Sequence, residues 1–162
     1  MDQATIQRHL SEARVAHLAT IRPGGRPHLV PICFAIDGDL LPTMWGGRPE
    51  GPGGGVRPTL PTLFFAIDQK PKRTPDLQRL RNIAANSSVS ILVDHYEDDW
   101  TKLWWIRLDG HAGEVTGARR ARGLELLEDR YLQYQTARPS GPVVAVQIGR
   151  TVSWEGAITR LT

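Results

Sequence analysis

Residues 68–100 read DQKPKRTPDLQRLRNIAANSSVSILVDHYEDDW, and the order of chemistries along them decides how the rest of the chain is read. Lys70, Lys72 and Arg73 form a basic knot. Thr74-Pro75-Asp76 then opens a helix with proline near its first position, and Leu77, Leu80, Ile83 and Ala84 make its apolar stripe. Arg79 and Arg81 stand off that stripe. Val89 to Tyr96 follows as a strand, with EDDW as an acidic turn. Cations gathered just before a helix, beside the N–H groups of its first turn, suit a phosphate or another polyanionic tail. A solvated basic face explains the same run, and the residues alone leave both readings open.

Upstream of this stretch, Asp2 is placed to cap a helix running to Ala13, with Ile6, Leu10 and Ala13 spaced by four and three. Val15 to Ile21 reads as a strand, RPGGRP as a turn whose Gly24 and Gly25 accept positive φ, and His28 to Ile36 as the antiparallel partner. Pro31 lies inside that partner and has no N–H for a ladder, so the strand is expected at an edge, at a bulge or facing a ligand. Asp37-Gly38-Asp39 makes a second turn. Residues 41–61 then hold six glycines and five prolines, a composition that forms a loop rather than a core. Leu63 to Asp68 returns to strand and leads into the basic knot.

Downstream, Leu103 to Asp109 reads as a strand ended by Gly110, and His111 to Val115 as a short further strand. Ala118 to Gln135 reads as a helix with Leu124, Leu127, Tyr131 and Tyr134 on one face. GPVVAVQIG and TVSWEGAI close the chain as two strands. Strands outnumber helices and their turns are short, which predicts a mainly β, mostly antiparallel barrel or sandwich with helices packed outside.

A chain of 162 residues fits a single domain spanning 1–162. A net charge of +3 permits an anionic ligand but lacks the dense basic stripe of a nucleic-acid binder. No apolar run reaches membrane length and no signal-peptide pattern opens the chain, so a cytoplasmic protein without membrane contact is expected. The single cysteine, Cys33, excludes an internal disulfide and is expected to pack as a small hydrophobe. Of the histidines at 9, 17, 28, 95 and 111, none shows metal-ligand spacing; Asp94, His95, Glu97, Asp98 and Asp99 are accounted for by a hydrophilic turn, and no metal is expected. GPGGGV lacks the pattern of a nucleotide loop, no Gly-x-Ser-x-Gly elbow occurs, and no catalytic residue stands out. Trp104 and Trp105 must face opposite sides of a strand, leaving one for the core and the other for a ligand or partner, although plain packing explains both. A flat aromatic cofactor lying on strands, with its phosphate at the basic knot, would use both features, and redox chemistry of that kind asks little of side chains beyond binding and orientation.

Three strings, LATIRPGGRPHLVPICFAIDGD, DQKPKRTPDLQRLRNIAANSSVSILVDHYEDDWTKLWWIRLDGHA and RYLQYQTARPSGPVVAVQIGRTVSWEG, resemble the pyridoxamine phosphate oxidase-like split-barrel proteins, nearest to the branch assigned to the deazaflavin coenzyme F-420. The resemblance implies an FMN-binding type of split β-barrel and an oxidoreductase that exchanges a hydride with an unsaturated small molecule. It also implies a homodimer with cofactor sites at the interface. FMN is the alternative cofactor, and a carrier without turnover the alternative role. Carried over by position, His28 and Pro31 approach the ring system, Lys70, Lys72, Arg73 and Thr74 hold the phosphate, and Arg79 matches a basic position before the Asn82-Ile83 pair. Trp105 falls where relatives carry a polar cofactor contact. The 41–61 loop is an insertion relative to that pattern.

Overall fold

The computed structural model describes residues 1–38, 60–67 and 77–156. Lys70, Lys72, Arg73, Thr74 and nearly all of the Gly/Pro-rich loop lie outside the described residues, as does the expected helix start at 74–76.

The chain opens with helix α1 (Gln3–Glu12), capped as its sequence predicts: the Asp2 carboxylate accepts the Thr5 N–H at 2.7 Å. Ile6 and Leu10 are its buried positions. Strand β1 (Ala16–Ile21) turns through Gly24 and Gly25, at φ 93° and 84°, into β2 (Pro27–Ile32). Short β3 (Ala35–Asp37), β4 (Thr62–Ala66), helix α2 (Gln78–Ala85) and β5 (Ser88–His95) follow. A 3-10 turn at Trp100–Lys102, capped by Asp99, leads to β6 (Trp104–Val115), then helices α3 (Gly117–Arg130) and α4 (Leu132–Thr136), and finally β7 (Val143–Glu155).

The strands make one seven-stranded sheet in the order β2-β1-β5-β6-β7-β4-β3. Every pairing is antiparallel, in agreement with the mainly β expectation. β2 pairs only with β1 among the described strands, so Pro31 does sit on an edge. The main core joins Leu18, Phe34, Leu63, Phe65, Ile91, Val93, Ile106, Leu108, Val144 and Val146, all essentially without solvent contact. Among the described residues no helix is long and apolar enough to cross a membrane.

Four expected boundaries are corrected. His28–Ile36 is not one strand: the chain leaves the ladder at Cys33-Phe34, and β2 and β3 end up at opposite ends of the sheet order. The cause is tertiary. The Phe34 N–H donates to the Tyr131 hydroxyl at 3.0 Å, and the one hydroxyl proton is shared between the Arg14 carbonyl at 2.9 Å and the Phe34 carbonyl at 3.1 Å, so a side chain takes up backbone groups that a ladder would otherwise take. Cys33 packs against the cluster of Ala35, Leu127, Tyr131 and Tyr134.

Gly110 does not end a strand. β6 runs through it with a register shift at Asp109/Gly110, where a Cβ would lie 2.2 Å from the Gln147 carbonyl oxygen. The glycine admits a bulge rather than a stop. The two closing strands are likewise one, because β7 pairs with β6 from Val143 to Glu155 on both sides of that bulge. The helix expected over 118–135 breaks into α3 and α4 at Tyr131, whose backbone is extended, while Leu124, Leu127, Tyr131 and Tyr134 are all buried as predicted.

Candidate functional site

The inner end of α2 carries a line of polar side chains. Arg81 donates to the Gln78 Oε1 at 2.9 Å, Gln78 Nε2 donates to the Asn82 Oδ1 at 2.7 Å, and Asn82 Nδ2 donates to the Thr20 hydroxyl at 2.9 Å. Thr20 Oγ1 lies 3.4 Å from both the Nδ1 and the carbonyl oxygen of His28, its cross-strand partner on β2. Asn82 and Thr20 are buried, at 0% and 1% exposure. Buried polar groups persist where they are bonded, and this line bonds both.

His28 is held below the ordinary histidine pKa, first by burial and then by the positive charges of Arg22 and Arg79. The ring is therefore neutral at pH 7, and Arg79 from α2 and Arg22 from the β1–β2 turn lend it a cationic setting. α2 was expected to bury Ala84; instead Asn82 and Ile83 face inward and Ala84 is exposed.

The opposite face of the sheet is open. Along β2 the side chains alternate, so His28, Val30 and Ile32 point inward while Pro27, Leu29 and Pro31 point outward. The register continues that outer face through His17 and Ala19 on β1, Ser90, Leu92 and Asp94 on β5, Trp105, Arg107 and Asp109 on β6, and Trp154 on β7. It is apolar for a free surface: Leu29 is 65% exposed and Trp154 43%. Polar groups on it are paired. Ser90 donates to Asp109 at 2.7 Å, Arg107 bonds the same carboxylate at 3.2 Å, and His17 lies 3.5 Å from Asp94.

Where this face meets the β1–β2 hairpin lies a cavity of about 460 Å³, lined by Thr20, Ile21, Pro27, Ser90, Asp109 and Arg150 among others. That volume falls within the roughly 300–1,000 Å³ usual for small-molecule sites. Thr20 stands in its wall, while its hydroxyl is buried on the inner face in the polar line that ends at His28.

The expected site residues therefore divide. Arg79 is near enough to His28 to help lower its pKa, after burial and Arg22. Pro31 and Trp105 share the outer face but stand three strand steps apart and out of register, more than about 14 Å along the sheet by the usual interstrand spacing. His28 and Pro31, expected to approach one ring together, project from opposite faces of β2. Thr20, Gln78 and the Ser90–Asp109–Arg107 group escaped the sequence reading, and Asn82 entered it only as a marker for Arg79, with no role of its own. Asn82 left one signal, a helical spacing of four from Gln78 next to apolar Ile83, whereas nothing local singles out Thr20. Among the described residues no cluster of three or more metal-type ligands occurs.

The architecture is the split barrel of pyridoxamine 5'-phosphate oxidase-like proteins, a mainly antiparallel sheet with flanking helices. Three solved structures illustrate the likeness. The conserved hypothetical protein Rv2991 of Mycobacterium tuberculosis has a TM-score of 0.64 at 21% identity, over 96% of this chain and 85% of that one. An FAD-binding protein of Mesorhizobium loti has a TM-score of 0.58 at 15% identity, over 94% of both chains. The heme storage protein HutZ of Vibrio cholerae has a TM-score of 0.61 at 15% identity, over 96% and 95%. At these identities the likeness is one of fold. No family model matches the sequence, and a search of curated proteins gives no match.

Proposed function

We propose that this protein is an oxidoreductase that binds a flavin-type tricyclic cofactor, coenzyme F-420 ahead of FMN, and moves a hydride between it and an unsaturated small-molecule acceptor. The observation that carries this reading is the cavity beside the β1–β2 hairpin, walled in part by Thr20 of β1, whose buried hydroxyl turns the other way, toward His28. The fold is shared with an FAD-binding protein, which supports a flavin-class ligand. The choice of F-420 rests on the sequence strings around KPKRT.

The cofactor, when bound, supplies the hydride chemistry. The chain supplies the rest. The outer face would offer a platform for a flat ring, and Arg22 and Arg79 would add positive potential around His28. Lys70, Lys72, Arg73 and Thr74, which precede α2 in sequence, are assigned to the phosphate end. A second copy of the chain covering Leu29, Leu92, Trp105 and Trp154 would exclude water from the ring, so the working form proposed is a homodimer.

The test is a pair of fluorescence titrations of the purified protein with F-420 and with FMN. Saturable F-420 binding with multiple turnovers on a screened acceptor is expected. Tight FMN binding with no response to F-420 would replace the deazaflavin by FMN, and binding without turnover on any acceptor would make the protein a carrier.

A further inference from the structure

The hydrogen-bond line from α2 to β2 has a direction, and the direction reaches His28. A guanidinium only donates, so Arg81 forces the oxygen of the Gln78 amide toward itself and its NH₂ toward Asn82. Asn82 must then accept with Oδ1 and donate with Nδ2, and Thr20 Oγ1 is the acceptor it meets. Reversing any one amide would set donor against donor or acceptor against acceptor, and reversing both would point the Gln78 NH₂ at Arg81. The Thr20 hydroxyl, having accepted from Asn82, has one proton left to give.

Two acceptors lie 3.4 Å from it, the Nδ1 and the carbonyl oxygen of His28. The carbonyl has another donor. Arg22 N–H bonds the Arg26 carbonyl at 2.9 Å, and bonded pairs in an antiparallel ladder recur every second pair, so the Thr20–His28 pair is a bonded one and the His28 carbonyl takes the Thr20 amide. Nδ1 has no such alternative in the ladder. A neutral imidazole has one basic nitrogen, Nδ1 is the ring nitrogen within reach of the Thr20 proton, and burial together with Arg22 and Arg79 keeps this ring neutral.

We propose that Asn82 and Thr20 are positioning residues that fix the tautomer of His28, putting its single ring proton on Nε2, so that the ring meets a bound cofactor or substrate as a hydrogen-bond donor. The ligand part rests on the function proposed above; the tautomer does not. An acceptor atom such as a ring carbonyl, a deprotonated ring nitrogen or a phosphate oxygen fits this arrangement. A ligand offering only N–H at that point does not.

The test is long-range ¹H–¹⁵N correlation of the imidazole groups in ligand-free protein at pH 8, with His28 assigned by its loss in His28→Gln. The expected pattern has Nδ1 as the unprotonated nitrogen and Nε2 as the protonated one, favoured by about fivefold, the weight of one net hydrogen bond. Asn82→Asp turns the donor to Thr20 into an acceptor, so the hydroxyl gives its proton to the new carboxylate, and His28 must invert to Nδ1–H. Should that variant not fold, Thr20→Val is expected to leave the two tautomers mixed while Thr20→Ser restores the single form. A protonated Nδ1 in the unaltered protein, or an unchanged spectrum in Thr20→Val, overturns the proposal. Both are read without cofactor, so failure of either titration above leaves this measurement standing.

Discussion

Replacing Tyr131 with phenylalanine removes one oxygen and little else, and the structure gives that oxygen a defined task. The Tyr131 hydroxyl accepts the Phe34 N–H at 3.0 Å and lies 2.9 Å from the Arg14 carbonyl and 3.1 Å from the Phe34 carbonyl, the two acceptors for its proton. Phe34 has no solvent-exposed surface, so its amide has no water to turn to once the oxygen is gone. An orphaned buried donor costs about 1–3 kcal/mol. The ring stays, so there is no cavity to add, and the stacked guanidinium of Arg14, 4.6 Å above the ring, keeps its aromatic partner. For a chain of this length roughly 2–4 °C of melting temperature follows each kcal/mol, which puts the expected loss at about 2–12 °C. A calorimetric melt of Tyr131→Phe against the parent measures it, and amide exchange should quicken at Phe34 first. An unchanged melting temperature, with Phe34 still protected, would refute the account of how the chain leaves β2 for β3.

Gly110→Ala puts a methyl group 2.2 Å from the Gln147 carbonyl oxygen, and overpacking of that kind costs about 1–3 kcal/mol; the urea midpoint should fall with the m-value unchanged. His9 and His28 are both held below 6.5, each chiefly by burial, so on acidification the unfolded chain takes up protons before the folded one. The stability these two groups contribute is therefore constant above about pH 6.5 and is lost as pH falls through the folded values, and His28→Asn should flatten part of the slope between melts at pH 7.5 and 5.5. Asp37, lowered first by its bond from Arg122, gives a second loss only in the acid range below the ordinary carboxylate value. Lys72→Ala is expected to weaken cofactor binding by about 1.5–3 kcal/mol, the range for a charge-assisted contact; unchanged affinity in the titration would remove the basic knot from the phosphate site.

What the sequence disclosed was whatever short-range physics controls. The Asp2 cap, the Gly24-Gly25 turn, the edge position of Pro31 and the inward face of Leu124, Leu127, Tyr131 and Tyr134 each depend on a few neighbouring residues. What it hid depended on partners far along the chain. Residues 28–36 alternate well enough for one strand, and only a tyrosine 97 positions away explains why the ladder stops at Cys33-Phe34. Gly110 and Gly149 look like stops, yet β6 and β7 run past them because each strand supplies the other's ladder. The site divides by the same rule. Arg79 and His28 were legible as a basic residue and a titratable one, but the effect of one on the other needs α2 packed against β1. Pro31 was legible as an edge residue, and the pleat then turns it away from His28, because an odd separation along a strand always changes face. A ring lying on the outer face can touch Pro31 or reach His28 only around the end of the sheet. The cavity at the hairpin is lined by Thr20, Ile21 and Pro27 but not by His28, so under the proposed function it is the hairpin end, rather than the middle of β2, that a ligand would have to round to meet the histidine.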